Sequence, residues 1–301
     1  MKNSFKILVT VLLFVNLISF AQGCSDAGFC SLTSHDNSEK TTKNSIEAGF
    51  VFAAAEKDVT VFSQYITYSR EFNSKFSMSF KATSSVSNGS FGTRGNFGDA
   101  FITGNYKLKS KVEDKKWSII SGIKIPFTSA NNKINEFPIP LVYQSSLGTF
   151  DLILGTNYNF KKWDFNAAVQ IPVININKNS FVKEFSGTNL FETTNLFERK
   201  SDGLLRATYS HKTKNGKFVF KPNILFLYHF GEDTYQDTFG NRQSINGSSG
   251  ITINGNLIAN YKLNSNSSLE TSLATPFVVR EERPDGLTRK FTAGLSYKYN
   301  F

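Results

Sequence analysis

The stretch Phe291-Thr-Ala-Gly-Leu-Ser-Tyr-Lys-Tyr-Asn-Phe301 decides the fold of this 301-residue chain. Apolar or aromatic residues occupy every second position, and small or polar residues fill the positions between them. A period of two is the period of a β-strand with one apolar face and one polar face. Such a strand fits a soluble sandwich, with the apolar face inward, or a membrane barrel, with that face in lipid.

The same alternation repeats from about residue 44 to residue 301 and predicts about twelve strands. It is clearest over residues 251–263, whereas residues 59–70 are apolar on both parities, so the faces of that strand stay unassigned. Short turns alternate with longer connections, apart from a tight first hairpin near residues 56–58. Short turns on one rim and long loops on the other are typical of outer-membrane barrels, which place them in the periplasm and outside the cell, respectively. Long loops are predicted at residues 84–96, 129–144, 177–201 and 231–249.

Aromatic side chains cluster at the predicted short-turn end of the strands. Aromatics make up 14% of the chain, while hydrophobic residues make up only 40%, which is low for a large dry core. A wall one residue thick, apolar outside and polar inside, has this composition. A soluble sandwich gives no reason for aromatics at one end only, so the sequence favours a closed, antiparallel, all-β transmembrane barrel. The predicted aromatic girdle comprises Trp117, Tyr158, Trp163, Tyr209, Tyr261, Tyr299 and Phe301.

The first residues have the pattern of a secretory signal peptide. Lys2 and Lys6 precede an apolar run over residues 7–20, and cleavage is expected near Ala21. Removal of residues 1–21 lowers the formal charge of +10 by two, to +8. Residues 22–43 are expected to form a flexible segment, in which Cys24 and Cys30 close a small disulfide loop or Cys24 carries a lipid. Residues 44–301 are the predicted barrel.

The residues on the polar parity are candidates for the lining of the lumen. They indicate a polar and somewhat basic interior that admits anionic or polar solutes. The alternative is an interior packed with ion pairs and hydrogen bonds, without a path through it, because narrow barrels fill with side chains. The predicted lumen-facing residues are Lys81, Lys107, Lys124, Asp151, Arg206, Lys221, His229, Lys262 and Glu270.

Several stretches also resemble one known family. They are Gly98-Asp99 leading into residues 100–108, Gly122-Ile-Lys-Ile-Pro126, residues 147–155, and the last hairpin with Pro276 and the ending of residues 294–301. With them, residues 95–301 resemble the outer-membrane barrels called phenol meta-pathway or transporter-like proteins. The resemblance implies an outer-membrane barrel and a channel for small, hydrophobic molecules. It implies no catalytic residue.

Motifs for enzymatic chemistry or nucleic-acid binding are missing from the sequence. A twelve-stranded outer-membrane phospholipase would place a serine two residues from a histidine, and neither His211 nor His229 is followed by one. The chain contains no Gly-x-Ser-x-Gly elbow, zinc-ligand spacing or phosphate-binding loop. Its lysines are scattered rather than clustered, so nucleic acid is not an expected partner. We therefore expect neither an enzyme nor a cofactor or metal site.

The favoured interpretation is a passive, porin-like channel for small hydrophobic or anionic solutes in the outer membrane of a Gram-negative cell. The expected partners are outer-membrane lipid, an unidentified solute, and the barrel-assembly machinery, which would recognise the C-terminal strand ending at Phe301. Two alternatives remain open. One is a structural or partner-binding barrel with a plugged lumen, and the other is an outer-membrane lipid hydrolase.

Overall fold

A computed structural model describes residues 43–55, 57–109, 115–285 and 289–301. These residues form twelve long strands, and each strand pairs antiparallel with the next. The sheet closes because β12 pairs with β1 from Ser45 opposite Asn300 to Ala55 opposite Arg289. The predicted closed, twelve-stranded antiparallel barrel is confirmed. The strands are β1 Asn44–Ala55, β2 Thr60–Glu71, β3 Phe76–Gly89, β4 Gly92–Lys107, β5 Lys115–Pro126, β6 Thr149–Phe160, β7 Trp163–Asn175, β8 Asp202–Tyr209, β9 Phe218–His229, β10 Gly250–Lys262, β11 Ser267–Val278 and β12 Arg289–Asn300.

Short secondary-structure elements lie in the connections. Lys133–Ile134 pairs with Phe137–Pro138, Thr234–Gln236 pairs with Arg242–Ser244, and His211–Lys212 pairs with β9 beyond the end of β8. Two single-turn 3-10 helices span Leu141–Tyr143 and Lys183–Phe185. Nowhere in the described ranges is there a helix with the length and apolarity needed to cross a bilayer.

The two faces of each strand differ as the alternation in the sequence predicts. On β7, Asp164, Asn166 and Gln170 are buried inside the barrel, while Trp163 and Phe165 are exposed on its outer face. The same contrast runs around the sheet, so the outer wall presents large apolar side chains on every strand. A contiguous apolar surface of this size is far larger than soluble monomers expose and is the surface that lipid tails cover.

The structure assigns the two faces of the second strand, which the sequence left open. Phe62 and Ile66 of β2 face outward, and Tyr65 faces the lumen. A Cβ atom at Gly49 of β1 would lie 2.7 Å from the Tyr65 ring, so this glycine makes room for an aromatic ring on the inner wall. The Tyr65 hydroxyl donates a hydrogen bond to Glu47 at 2.8 Å. The stretch is apolar on both parities because the buried Val59 and Val61 and this tyrosine all lie on the inward parity.

One of the predicted long loops is wrong. Residues 84–96 belong mostly to β3 and β4, which continue to Gly89 and from Gly92 and are joined only by Ser90 and Phe91. Serine, glycine and asparagine favour loops, but here the backbone of β3 pairs with β2 on one side and with β4 on the other. These ladders satisfy the backbone polar groups and override the local preference. The predicted loops near residues 129–144, 177–201 and 231–249 are confirmed, as are the short turns near residues 72–75, 161–162, 212–216 and 264–267 on the opposite rim. Most of the predicted turn at residues 109–115 lies outside the described residues.

The apolar outer wall makes a test of its lipid contact possible. Leu257 lies near the middle of β10 and Leu263 follows its end, and the two are equally exposed, at 43% and 45%. We expect Leu257→Arg to lower the free energy of unfolding in a lipid bilayer by about 2–4 kcal/mol, because the charge lies at mid-depth. The matched Leu263→Arg should cost about 1 kcal/mol or less, because it lies at the interface. Denaturant titration in liposomes measures both, and equal losses would contradict a membrane-spanning wall.

Candidate functional site

Four connections meet at one end of the barrel. We call residues 127–148, 176–201, 230–249 and 279–285 loops 5–6, 7–8, 9–10 and 11–12, after the strands that they follow or join. Loop 5–6 turns into the barrel, where Ser145 Oγ donates to Ser85 O at 3.1 Å and Ser146 Oγ donates to Asp99 Oδ1 at 2.6 Å. Because Ser85 and Asp99 lie on the inner wall, this loop occupies part of the lumen itself.

Asparagine side chains join loop 7–8 to loop 5–6. Asn177 Nδ2 donates to Leu147 O at 2.9 Å, and Asn179 Nδ2 donates to both Ala130 O and Ile139 O at 3.1 Å. The Asn179 Oδ1 atom in turn accepts hydrogen bonds from Phe181 N and Thr194 Oγ1. Asn179 is almost completely buried, so it replaces the backbone partners that an irregular buried loop lacks.

Two apolar clusters complete the closure of this mouth. In the first, side chains from loops 5–6 and 7–8 pack on the ends of β1 and β2, and in the second they pack with Ile245 of loop 9–10. Phe91, from the tip of the β3–β4 hairpin, packs against the first cluster. The loop end of the lumen is therefore filled by the protein's own side chains. The first cluster comprises Ala53, Ala55, Val59, Val61, Ile139, Tyr143, Phe181 and Phe191, and the second comprises Ala130, Leu141, Leu147, Phe197 and Ile245.

Charged residues lie directly beneath these clusters. Lys124 of β5 is 2.9 Å from Asp151 Oδ2 of β6 and donates to Thr149 Oγ1 at 2.9 Å. Gln170 of β7 donates to the same Asp151 carboxylate. All of these side chains are buried, so the ion pair is shielded from water and held by additional hydrogen bonds, which a buried pair requires.

A second group of charges adjoins this pair on the side of β8 and β9. His229 Nδ1 lies 2.7 Å from Asp202 Oδ1, and His229 Nε2 lies 2.8 Å from Asp233 Oδ1. Arg199 pairs with Asp202, and Arg280 pairs with Asp285. We call Arg199, Asp202, His229, Asp233, Arg280 and Asp285 the charge latch, and together with Lys124 and Asp151 they form a charged layer across the lumen.

An apolar layer follows below the charged layer on the inner wall. On β4, β6 and β8 it begins two residues after a charged residue: Phe101 after Asp99, Ile153 after Asp151, and Leu204 after Asp202. This layer was not predicted, because strand alternation by itself assigns polar residues to the inward parity. The signal was present, since large apolar residues recur on the inward parity of neighbouring strands. The full cluster is Phe101, Ile120, Ile153, Ala168, Leu204 and Leu225, with Leu227 packed against it.

The short-turn half of the lumen is lined by polar side chains, some buried and some half-buried. Arg206 Nε donates to Asn166 at 3.0 Å, and Lys81 lies over the Tyr65 ring at 4.4 Å. The predicted lining residues divide between the two halves. Lys124, Asp151 and His229 are buried in the charged layer, and Lys262 is exposed at the end of β10. The half-buried ones are Lys81, Lys107, Arg206, Lys221 and Glu270.

The predicted aromatic girdle forms a row of ring contacts on the outer face. Trp117 and Tyr158 lie 4.5 Å apart between ring centroids on β5 and β6, and Trp163 and Tyr209 lie 5.1 Å apart on β7 and β8. Phe165 joins the two pairs, at 6.4 Å from Tyr158 and 5.9 Å from Trp163. Further round the barrel, at the ends of the strands, the pairs are Phe218 with Tyr261 and Tyr299 with Phe301.

The structure separates the two histidines that were considered for hydrolysis. His211 is exposed beside the short turn after β8, whereas His229 is buried near the loop end of β9. Both ring nitrogens of His229 face carboxylates rather than a nucleophile. Among the described residues, no three His, Cys, Asp or Glu side chains are grouped to hold a metal ion. The predicted signal peptide, Cys24 and Cys30 lie outside the described residues.

Comparison with known proteins supports the fold. No family model and no curated protein matches the chain, so the phenol meta-pathway family stays a resemblance. An outer-membrane channel from Pseudomonas putida F1 is 12% identical with a TM-score of 0.59, over 89% of this chain and 100% of that one. Two other solved structures are more distant. A KdgM porin is 10% identical with a TM-score of 0.45, over 85% of this chain and 99% of that one, and the CymD monoaromatic hydrocarbon channel is 11% identical with a TM-score of 0.44, over 93% and 94%. The first likeness shows that this barrel has the fold of a known outer-membrane channel.

Asn179 offers a test of how the mouth is held closed. We expect Asn179→Ala to lower the free energy of local opening of loops 5–6 and 7–8 by about 2–4 kcal/mol, because four hydrogen bonds are lost in a buried site. Hydrogen exchange of the amides in residues 130–147 and 177–197 measures the change. Asn189→Ala, in the exposed part of the same loop, serves as the control. Equal exchange in the two variants would show that Asn179 does not hold the plug.

Proposed function

We propose that this protein is an outer-membrane channel for small solutes whose loop-side mouth is closed in the conformation described here. The observation that carries the proposal is a closed wall with an apolar outer face and a polar inner face. Half-buried cations line the short-turn half of the inner wall and give it a polar surface that a solute could contact. Export by the predicted signal peptide and insertion through the C-terminal strand are part of the same proposal.

The inner wall supports two features of the solute. Below the apolar layer, the half-buried cations Lys81, Lys107, Arg206 and Lys221 outnumber the acids, among them Glu47 and Glu270. An excess of cations raises the local concentration of anions and of polar solutes with negative charge. The apolar layer above them would admit a solute with an apolar body once the mouth is open. We therefore propose a small solute that is anionic or hydrophobic.

The packed mouth also favours a second candidate, a plugged barrel that binds a partner through its loops. Phe137, Phe185 and Phe239 are 72%, 79% and 87% exposed on three different loops of this end. Exposed aromatic residues are common anchors in protein interfaces. Conductance of the purified protein in a planar lipid bilayer separates the candidates. Discrete single-channel currents support the channel, and a bilayer that stays insulating for the wild type and for plug-weakened Asn179→Ala favours the plugged barrel.

Lys221 provides a test of selectivity. We expect Lys221→Glu to shift the reversal potential in a salt gradient toward the value for cations, with a several-fold lower ratio of anion to cation permeability, because it reverses a charge on the inner wall. Lys217→Glu makes the same change of charge in the exposed turn before β9 and should leave the reversal potential close to the wild-type value. Equal shifts in the two variants would contradict conduction along this wall.

A further inference from the structure

The charge latch connects three loops to the barrel wall. Arg199 belongs to loop 7–8, Asp233 to loop 9–10, and Arg280 and Asp285 to loop 11–12. Asp202 and His229 lie at the loop-side ends of β8 and β9, whose pairing places them opposite each other. All six side chains are at most 9% exposed. The latch is therefore the buried contact through which these three loops and the wall meet.

The geometry of His229 sets the charge of the latch. A carboxylate only accepts hydrogen bonds, and each ring nitrogen of His229 faces one, Asp202 on one side and Asp233 on the other. Only the imidazolium form can donate in both directions. With His229 protonated, the three cations His229, Arg199 and Arg280 balance the three aspartates. Removal of any one charge leaves a buried charge without compensation, which is strongly unfavourable.

Loop 11–12 depends on the latch more than the other loops do. Loops 5–6, 7–8 and 9–10 contribute side chains to the two apolar clusters of the mouth, but no described residue of loop 11–12 is in either cluster. Its buried contacts are ionic or polar. Arg280 Nη1 donates to Ser248 O at 2.5 Å, and the Asp285 carboxylate accepts from Arg280 and lies 3.7 Å from Arg199 Nε. A backbone hydrogen bond from Glu282 N to Gly247 O at 3.0 Å adds to these contacts.

Asp285 also marks where loop 11–12 reaches inside the barrel. It lines a water-sized cavity together with Asp99 and Lys124 of the inner wall and Ser146 of loop 5–6. Residue 285 therefore lies between opposite sides of the lumen, at the level of the charged layer. Withdrawal of this loop would remove the part of the closure that spans from β11 toward β4 and β5.

We propose that residues 279–285 form a gate that the charge latch holds shut, and that neutralisation of Asp285 or His229 releases it. The gating of solute flow rests on the proposed channel function, whereas the release of the loop does not. Loops 5–6 and 7–8 stay in place during this step because apolar contacts and Asn179 hold them. The gate thus opens one side of the mouth without unfolding the rest.

Acid and alkali act on different members of the latch. Burial alone would raise the pKa of Asp285, but Arg280 and Arg199 overcome this effect and hold the pKa below its ordinary range. Because the folded-state pKa is lowered, Asp285 stabilises the latch above the unfolded-state value of about 3.9, and this contribution is lost as the pH falls through the lower folded-state value. On the alkaline side, His229 loses the proton that it donates to Asp202 or Asp233. The other charged groups of the latch that surround His229 are Arg199, Arg280 and Asp285. The latch is intact between these two limits.

The central test compares Asp285→Asn with Glu281→Gln, which removes a carboxylate charge from an exposed position of the same loop. We expect Asp285→Asn to raise the open probability in planar bilayers about tenfold or more. Hydrogen exchange of residues 279–285 in liposomes should increase by a similar factor, while Glu281→Gln matches the wild type in both measurements. Resistance of the barrel to denaturation in detergent confirms that each variant is folded.

The two measurements separate the gate from the channel. Faster exchange without any current in either protein supports the release of the loop and counts against the channel. Currents in the wild type that Asp285→Asn leaves unchanged, with unchanged exchange, overturn the gate and leave the channel intact. Should Asp285→Asn fail to fold, His229→Gln takes its place, since it removes one charge and keeps one hydrogen bond.

The pH profile tests the role of His229. We expect the wild-type open probability to be lowest near neutral pH and to rise on the alkaline side, because neutral imidazole can donate to only one of its two carboxylates. His229→Gln should be more open at neutral pH and should lose the alkaline rise, since it has no proton to release. A wild-type profile that is flat from neutral to alkaline pH, or a variant that keeps the rise, would refute the latch.

Discussion

Backbone hydrogen bonding is the constraint on which this structure depends. A polypeptide that crosses a bilayer with strands must satisfy every backbone N–H and C=O group within the sheet, because lipid offers no partner. Pairing of β1 with β12 achieves this by removing both free edges. Once the sheet is closed, successive side chains of a strand face either lipid or the lumen. This explains why each strand has an apolar parity and a polar parity.

The same constraint has consequences for the loops. Loops 5–6 and 7–8 enter the mouth with little regular structure, and many of their buried backbone groups need partners from side chains. Asn177 and Asn179 supply them, since an amide group both donates and accepts. The asparagines thus offset the cost of removing these backbone groups from water. The phenylalanines around them provide the apolar burial that holds the loops together.

The wall was predictable from the sequence, but the closure of its mouth was not. Strand period, strand number and the position of the short turns are local properties, and all of them can be read from residues within a dozen positions of one another. The β3–β4 hairpin escaped this reasoning because its serines and glycines favour a loop, and only pairing with β2 makes them a strand. The charge latch joins residues as distant in sequence as Arg199 and Asp285, and their pairing exists only after the barrel has closed. His229 was predicted to face the lumen, and its partner Asp233 is four residues away in the sequence, but Asp202 is 27 residues away and meets it only through the pairing of β8 with β9.

The order of the layers explains why the mouth should switch between two states rather than open gradually. The charged layer lies between the apolar clusters of the mouth and the apolar layer around Phe101 and Leu225. In such surroundings a complete ion network is held strongly, whereas a partly broken one leaves unpaired charges in a medium of low polarity. Intermediate arrangements are therefore the least favourable ones. Water must enter when the first pair breaks, and once it enters it weakens the remaining pairs of the latch, so that their release becomes cooperative.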